Sequence, residues 1–134
     1  MALKGKTNLK LDKKRLTNSF KYAFYGILQS YKREQNLKIH TIVAFLVIIF
    51  GFVFKISYVE WLVCLVLIGL VLMAEFFNTS IENVVDLASP DIHPLAKSAK
   101  DTAAAGVLMM AIISSIVGLI IFVPKIISFI GGLL

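Results

Sequence analysis

The sequence predicts an all-α membrane protein with three transmembrane helices and an N-terminal amphipathic surface helix, and three observations carry that prediction. Of 134 residues, 58% are hydrophobic and 16% charged, more apolar surface than one small water-soluble domain can bury. A mean hydropathy of +0.85 excludes a disordered chain and an ordinary water-soluble enzyme. The apolar residues are gathered into Ile39 to Phe54, Trp61 to Ala74 and Ala103 to Val123, separated by short polar breaks. We expect a single domain over 1–134, with an arm near residues 15–36 and helices containing the spans near 38–57, 59–87 and 95–123.

The arm is basic. Ten of the fourteen Lys and Arg residues lie between Lys4 and Lys38, opposed there only by Asp12 and Glu34, within a net charge of +6. Such a segment suits an anionic lipid surface. It runs straight into apolar sequence, which argues against a nucleic-acid partner. Leu16, Phe20, Ala23, Phe24, Ile27, Leu28 and Tyr31 recur at helical spacing, with Asn18, Lys21, Gln29 and Lys32 on other faces, the pattern of an amphipathic helix. That helix either lies in the membrane interface as an anchor or covers a site. Everything before Ile39 is polar or amphipathic, unlike a cleavable signal peptide.

A hydrocarbon core of about 30 Å needs about 20 helical residues, so only the third stretch spans by itself. Trp61 to Ala74 covers only about 21 Å. The second helix must therefore continue through Glu75, Phe76 and Phe77, which places Glu75 below the membrane surface. Lys55 to Glu60 is a hairpin loop, with Tyr58 and Trp61 suited to the interfacial aromatic belt. The basic bias predicts a cytoplasmic N-terminus, with Lys97 and Lys100 inside and only Lys55 and Lys125 outside. Ser89-Pro90-Asp91 and Pro94 break the pattern and read as a cytoplasmic turn. Cys64 is the only cysteine and can form neither an intrachain disulfide nor a multi-cysteine metal site.

The informative segment runs from Ala74 to Asp86. On a helix Glu75, Asn78, Glu82 and Asp86 are spaced by three, four and four residues and project within roughly an 80° sector. Three acids and an amide entering the membrane on one face are costly against lipid. They can hydrogen-bond neighbouring helices. Aligned carboxylates also repel one another unless a cation sits among them. Oxygen ligands without clustered His or Cys favour a hard ion such as Mg²⁺, which takes one or two carboxylates together with substrate phosphates. Other residues have ordinary readings too: Glu34 as a solvated surface charge, Lys97 and Asp101 as a helix pair, Lys100 as a positive-inside residue, His93 as a turn residue and His40 as a marker of the membrane interface. The eight glycines form no P-loop and no protein-kinase glycine loop.

Glu75-Phe-Phe-Asn78-Thr-Ser-Ile-Glu82-Asn-Val-Val-Asp86, followed by His93 and by Ala99-Lys100-Asp101, closely resembles the signature of the small prokaryotic diacylglycerol kinase and undecaprenol kinase family. The resemblance reaches upstream to Arg15, Tyr22, Gly26, Glu34, Asn36 and Lys38 and covers roughly residues 15–123. It implies a homotrimer of three-span subunits that transfers the γ-phosphoryl group of Mg²⁺-bound ATP to a membrane lipid alcohol at the cytoplasmic side of the bilayer. By position, it implies Glu75 as general base, Asn78 as the group orienting base or acceptor, and Glu34 and Glu82 as Mg²⁺ ligands. Lys100 resembles a phosphate contact and Asp101 part of the ligand network. Arg15, Tyr22, Asp86 and His93 match positions near nucleotide or lipid. Lys38 stands where some members have Arg, and Ser80 where many have Ala. The basic, Asn-rich arm resembles the undecaprenol branch, which makes undecaprenol the favoured substrate and diacylglycerol the runner-up.

A non-enzymatic reading also fits the residues: a cation-conducting or accessory membrane protein whose acidic seam lines a water-filled path. Mg²⁺-dependent ATP binding separates the two. Ala103 to Gly106 and Ser114-x-x-x-Gly118 offer small-residue surfaces for close helix contact, so the trimer rests on the resemblance.

Overall fold

The computed structural model describes residues 13–132, and the basic residues Lys4, Lys6 and Lys10 lie outside them. Four helices follow one another: α1 (Lys13–Arg33), α2 (Gln35–Val53), α3 (Tyr58–Ala88) and α4 (Pro94–Gly131). Among the described residues, α2, α3 and α4 are long and apolar enough to cross a membrane. The expected layout of an arm and three spans is the one found.

None of the residues of α1 is buried. Leu16, Phe20 and Phe24 on its apolar stripe are exposed. A single extended residue, Glu34, separates α1 from α2. The Tyr31 hydroxyl lies 2.6 Å from the Thr41 hydroxyl and the Arg33 guanidinium donates to Asn83 Oδ1 at 2.8 Å. The end of the arm is thereby tied to α2 and to α3.

Leu37, Ala44 and Gly51 are buried on α2, seven residues apart and so on one face. The turn into α3 passes through Lys55 in the left-handed region, φ 48°. A reciprocal cap then starts α3: the Glu60 N–H donates to Ser57 Oγ at 3.3 Å and the Ser57 N–H donates to Glu60 Oε2 at 2.6 Å, satisfying two N–H groups that a helix end leaves free. Gly51 is required here, because a Cβ at that position lies 2.7 Å from the indole of Trp61. Ile56, Cys64 and Ile121 form the core of this end, with Phe54, Trp61 and Phe122 packed around it.

The most extensive packing is between α3 and α4. Lys125 Nζ lies 3.1 Å from Glu60 Oε2 at one end, and Lys100 Nζ lies 2.5 Å from Asp86 Oδ1 at the other. Between the helices, Ser89 Oγ donates to the Asp91 carbonyl at 3.0 Å. Pro94 opens α4, where its missing N–H costs nothing. His93 caps it, with Nδ1 accepting from the Leu95 N–H at 3.2 Å.

Two of the spanning helices have bounds that differ from expectation by three residues or more. The first spanning helix starts at Gln35 and ends at Val53, against an expected 38–57. The last runs through Pro124 to Gly131 rather than ending near Val123. An internal proline removes one hydrogen bond and crowds the preceding turn, yet contacts on both sides hold the helix. Phe122 and Phe129 meet Phe54 with ring centroids 6.4 and 5.7 Å away, and Lys125 pairs with Glu60.

The Gly51–Trp61 contact generates a stability prediction. Gly51→Ala should lower the melting temperature in detergent, because overpacking costs about 1–3 kcal/mol, more than the helix propensity gained, about 1 kcal/mol. Combining it with Trp61→Phe should restore part of the loss. A single variant that melts at or above the parent temperature contradicts the contact.

Candidate active site

The seam expected from spacing is present on α3, and it runs from buried to solvated. Glu75 is 1% exposed and Asn78 7%, Glu82 is half-buried and Asp86 exposed. Asn78 Nδ2 donates to Glu82 Oε1 at 3.1 Å. Thr79, buried beside them, turns its hydroxyl back onto the Glu75 carbonyl at 3.0 Å, so it satisfies the backbone and not the carboxylate.

Glu34 reaches this seam from the junction of α1 and α2. Its carboxylate and that of Glu82 both act electrostatically on Glu75. On α2, His40 Nε2 lies 3.2 Å from Glu75 Oε1. The ring is out of line for a hydrogen bond, and Glu75 Oε1 and Asn78 Oδ1 are buried acceptors without a donor. Two such atoms on one face form an unfilled polar surface, expensive unless something binds there.

At the solvated end, Lys100 on α4 pairs with Asp86. Asp101 pairs with Lys97 at 2.7 Å, both largely exposed, the ordinary four-residue helix pair. His93 caps α4. Arg15 and Tyr22 occupy exposed positions of α1, about 28 and 18 Å from Glu34 along a straight helix. The structure therefore brings Glu75, Asn78 and Glu82 together on one face of α3, with Asp86 and Lys100 at its solvated end and Glu34 at the α1–α2 junction. It leaves Arg15, Tyr22 and His93 apart from the seam, while Asp101 faces Lys97.

Below the seam, a cavity of about 290 Å³ opens between α2, α3 and α4, lined by His40, Val47, Val71, Ser114 and Phe122 among others. Its walls are almost wholly apolar, with the histidine at the level of the carboxylate.

Comparison with known proteins identifies the family of the chain. The profile of the family described as prokaryotic diacylglycerol kinase matches residues 21–122. The chain belongs to the prokaryotic diacylglycerol kinase family. Among curated relatives, an undecaprenol kinase of Bacillus subtilis is 44% identical over 83% of this chain and 90% of its own length. A diacylglycerol kinase of Synechocystis is 36% identical over 82% of this chain and 63% of its own length. A diacylglycerol kinase of Pseudomonas aeruginosa is 31% identical over 76% of this chain and 80% of its own length.

The donor set of this lipid kinase fits a hard cation. Glu34 and Glu82 offer carboxylate oxygens, and Asn78 Oδ1 is a buried acceptor without a donor. Among the described residues no three His, Cys, Asp or Glu side chains form a ready-made metal cage, and Mg²⁺ typically takes few protein ligands and completes its shell with phosphates and water. Sequence reasoning missed two contacts. His40 stands in the inward register of α2 with Leu37 and Ala44, three residues after one and four before the other, and that register was the available signal. The Arg33–Asn83 bond joins positions fifty residues apart and has no local signature.

Proposed function

We propose that this lipid kinase transfers the γ-phosphoryl group of ATP to the hydroxyl of a polyprenol, undecaprenol first, at the cytoplasmic face of the bilayer. The observation that carries the reading is a single carboxylate, Glu75, 1% exposed and 3.2 Å from His40, which lines a largely apolar cavity. An alcohol whose hydrocarbon tail stays in the membrane has to present its hydroxyl at that depth to meet it. The 44% identity to an undecaprenol kinase supports the polyprenol over a diacylglycerol, the second reading, which the other relatives support.

In this mechanism Glu75 accepts the proton of the lipid hydroxyl while the hydroxyl oxygen bonds to the γ-phosphorus. The bond from that phosphorus to the β,γ-bridging oxygen breaks, and ADP leaves with the electron pair. Asn78 orients the acceptor, since its amide is held on one side by Glu82 and its Oδ1 is open. Glu34 and Glu82 would hold Mg²⁺, which when bound supplies charge neutralisation for the phosphates. Lys100 exchanges Asp86 for a phosphate oxygen, and Asp86 then stands free at the rim. Phosphoryl transfer depends on such positioning and electrostatics more than on covalent help. Arg15, Tyr22, His93 and Asp101 serve nucleotide or lipid binding from outside the seam. In a homotrimer, the exposed Arg15 and Tyr22 of α1 can reach the site of a neighbouring copy. The basic arm and the Lys97–Lys100 end lie on the cytoplasmic side, where ATP is available.

Radiolabelled phosphate from ATP should pass to undecaprenol in detergent micelles in preference to diacylglycerol, and labelling of neither sinks the kinase mechanism. Glu75→Gln should lower turnover about 100-fold or more, the scale of a lost general base, with the melting temperature retained. Glu34→Gln and Glu82→Gln should each raise the Mg²⁺ concentration for half-maximal activity by at least about 10-fold. Unchanged metal titrations remove these two residues as ligands.

A further inference from the structure

The phosphoryl-transfer scheme leaves one contact at the deepest point of the seam unused. His40 Nε2 lies 3.2 Å from Glu75 Oε1, with the imidazole 23% exposed against 1% for the carboxylate. His40 also lines the apolar cavity, so the ring stands where that cavity meets the base. A carboxylate acts as a base only when a lone pair faces the incoming hydroxyl, and something has to hold its rotamer. The two polar neighbours on α3 are committed elsewhere: Asn78 donates to Glu82 and Thr79 to the Glu75 backbone. Among the described residues, Oε1 has no aligned hydrogen-bond donor. The imidazole is close enough to become one, because its ring torsion is broad and soft.

We propose that His40 is the positioning residue for Glu75: its Nε2–H holds Oε1 so that the second carboxylate oxygen faces the lipid hydroxyl. The inference rests on Glu75 being the base. A neutral imidazole protonated at Nε2 suffices, and the interaction spans two helices, so it fixes the base relative to the cavity as well as within α3.

The test compares His40→Leu, His40→Gln and Glu75→Gln in the full chain, with kinase kinetics in lipid micelles and thermal melting measured together. His40→Leu should lower kcat about 10- to 100-fold, the scale of one hydrogen bond to a charged group, with KM for ATP and melting temperature unchanged. His40→Gln, whose Nε2 amide reaches the same oxygen, should keep at least about a third of parental kcat. The inference is overturned if His40→Leu stays within about twofold of the parent, if His40→Gln is as impaired as His40→Leu, or if activity falls only in step with melting temperature. The parallel variant separates two failures. Glu75→Gln retaining more than about a tenth of parental activity removes the base and the inference with it. An inactive Glu75→Gln beside a fully active His40→Leu removes the inference alone.

Discussion

A carboxylate 1% exposed among membrane-spanning helices is the constraint around which the rest of the chain is arranged. Burying a charged group without a partner costs several kcal/mol, and an apolar helix end is a poor place to put one. Each neighbouring element answers that cost. α2 brings an imidazole to 3.2 Å, and α3 continues as one helix for 31 residues, carrying its polar face out of the hydrocarbon toward water. The end of the arm is held to the more solvated part of α3 by the Arg33–Asn83 bond.

The site can sit at a defined depth because α3 and α4 are locked in register at both ends. Glu60 pairs with Lys125 and Asp86 with Lys100; the pairs are 26 residues apart on α3 and 25 on α4, as antiparallel helices require. A slide of one turn separates both pairs and moves Glu75 by about 5.4 Å along the bilayer normal, away from the hydroxyl of a lipid whose tail sets its depth. The pairs are partly exposed and contribute little to stability. They oppose a slip of α3 past α4, because a slip separates both.

How much of this was legible in the sequence follows from the range of each interaction. The amphipathic arm, the three apolar stretches, the turn at Ser89 to Pro94 and the seam of Glu75, Asn78, Glu82 and Asp86 are written in spacings of a few residues, and local periodicity reads them directly. Glu34 and His40 are different. Their roles arise where α1, α2 and α3 converge, and a charge in a basic run and a histidine at the foot of an apolar stretch both have ordinary explanations by themselves. The continuation of α4 through Pro124 was illegible for a related reason. Local rules end a helix there, and the contacts that keep it going come from Phe54 and Glu60, far away in the chain.

On α3, two buried acceptors, Glu75 Oε1 and Asn78 Oδ1, have no aligned donor among the described residues. An unsatisfied buried oxygen costs about 1–3 kcal/mol, a cost that Asn78 Oδ1 carries and that a donor brought by a bound molecule would offset. A lipid hydroxyl donates one hydrogen bond. A chain that turned the Thr79 hydroxyl toward the carboxylate instead of the backbone would fill an acceptor on Glu75 internally and leave less to offer an alcohol. The polar seam is thus left incomplete at the point where it meets the apolar cavity, and a molecule that carries one hydroxyl on a long hydrocarbon chain matches both halves of that boundary.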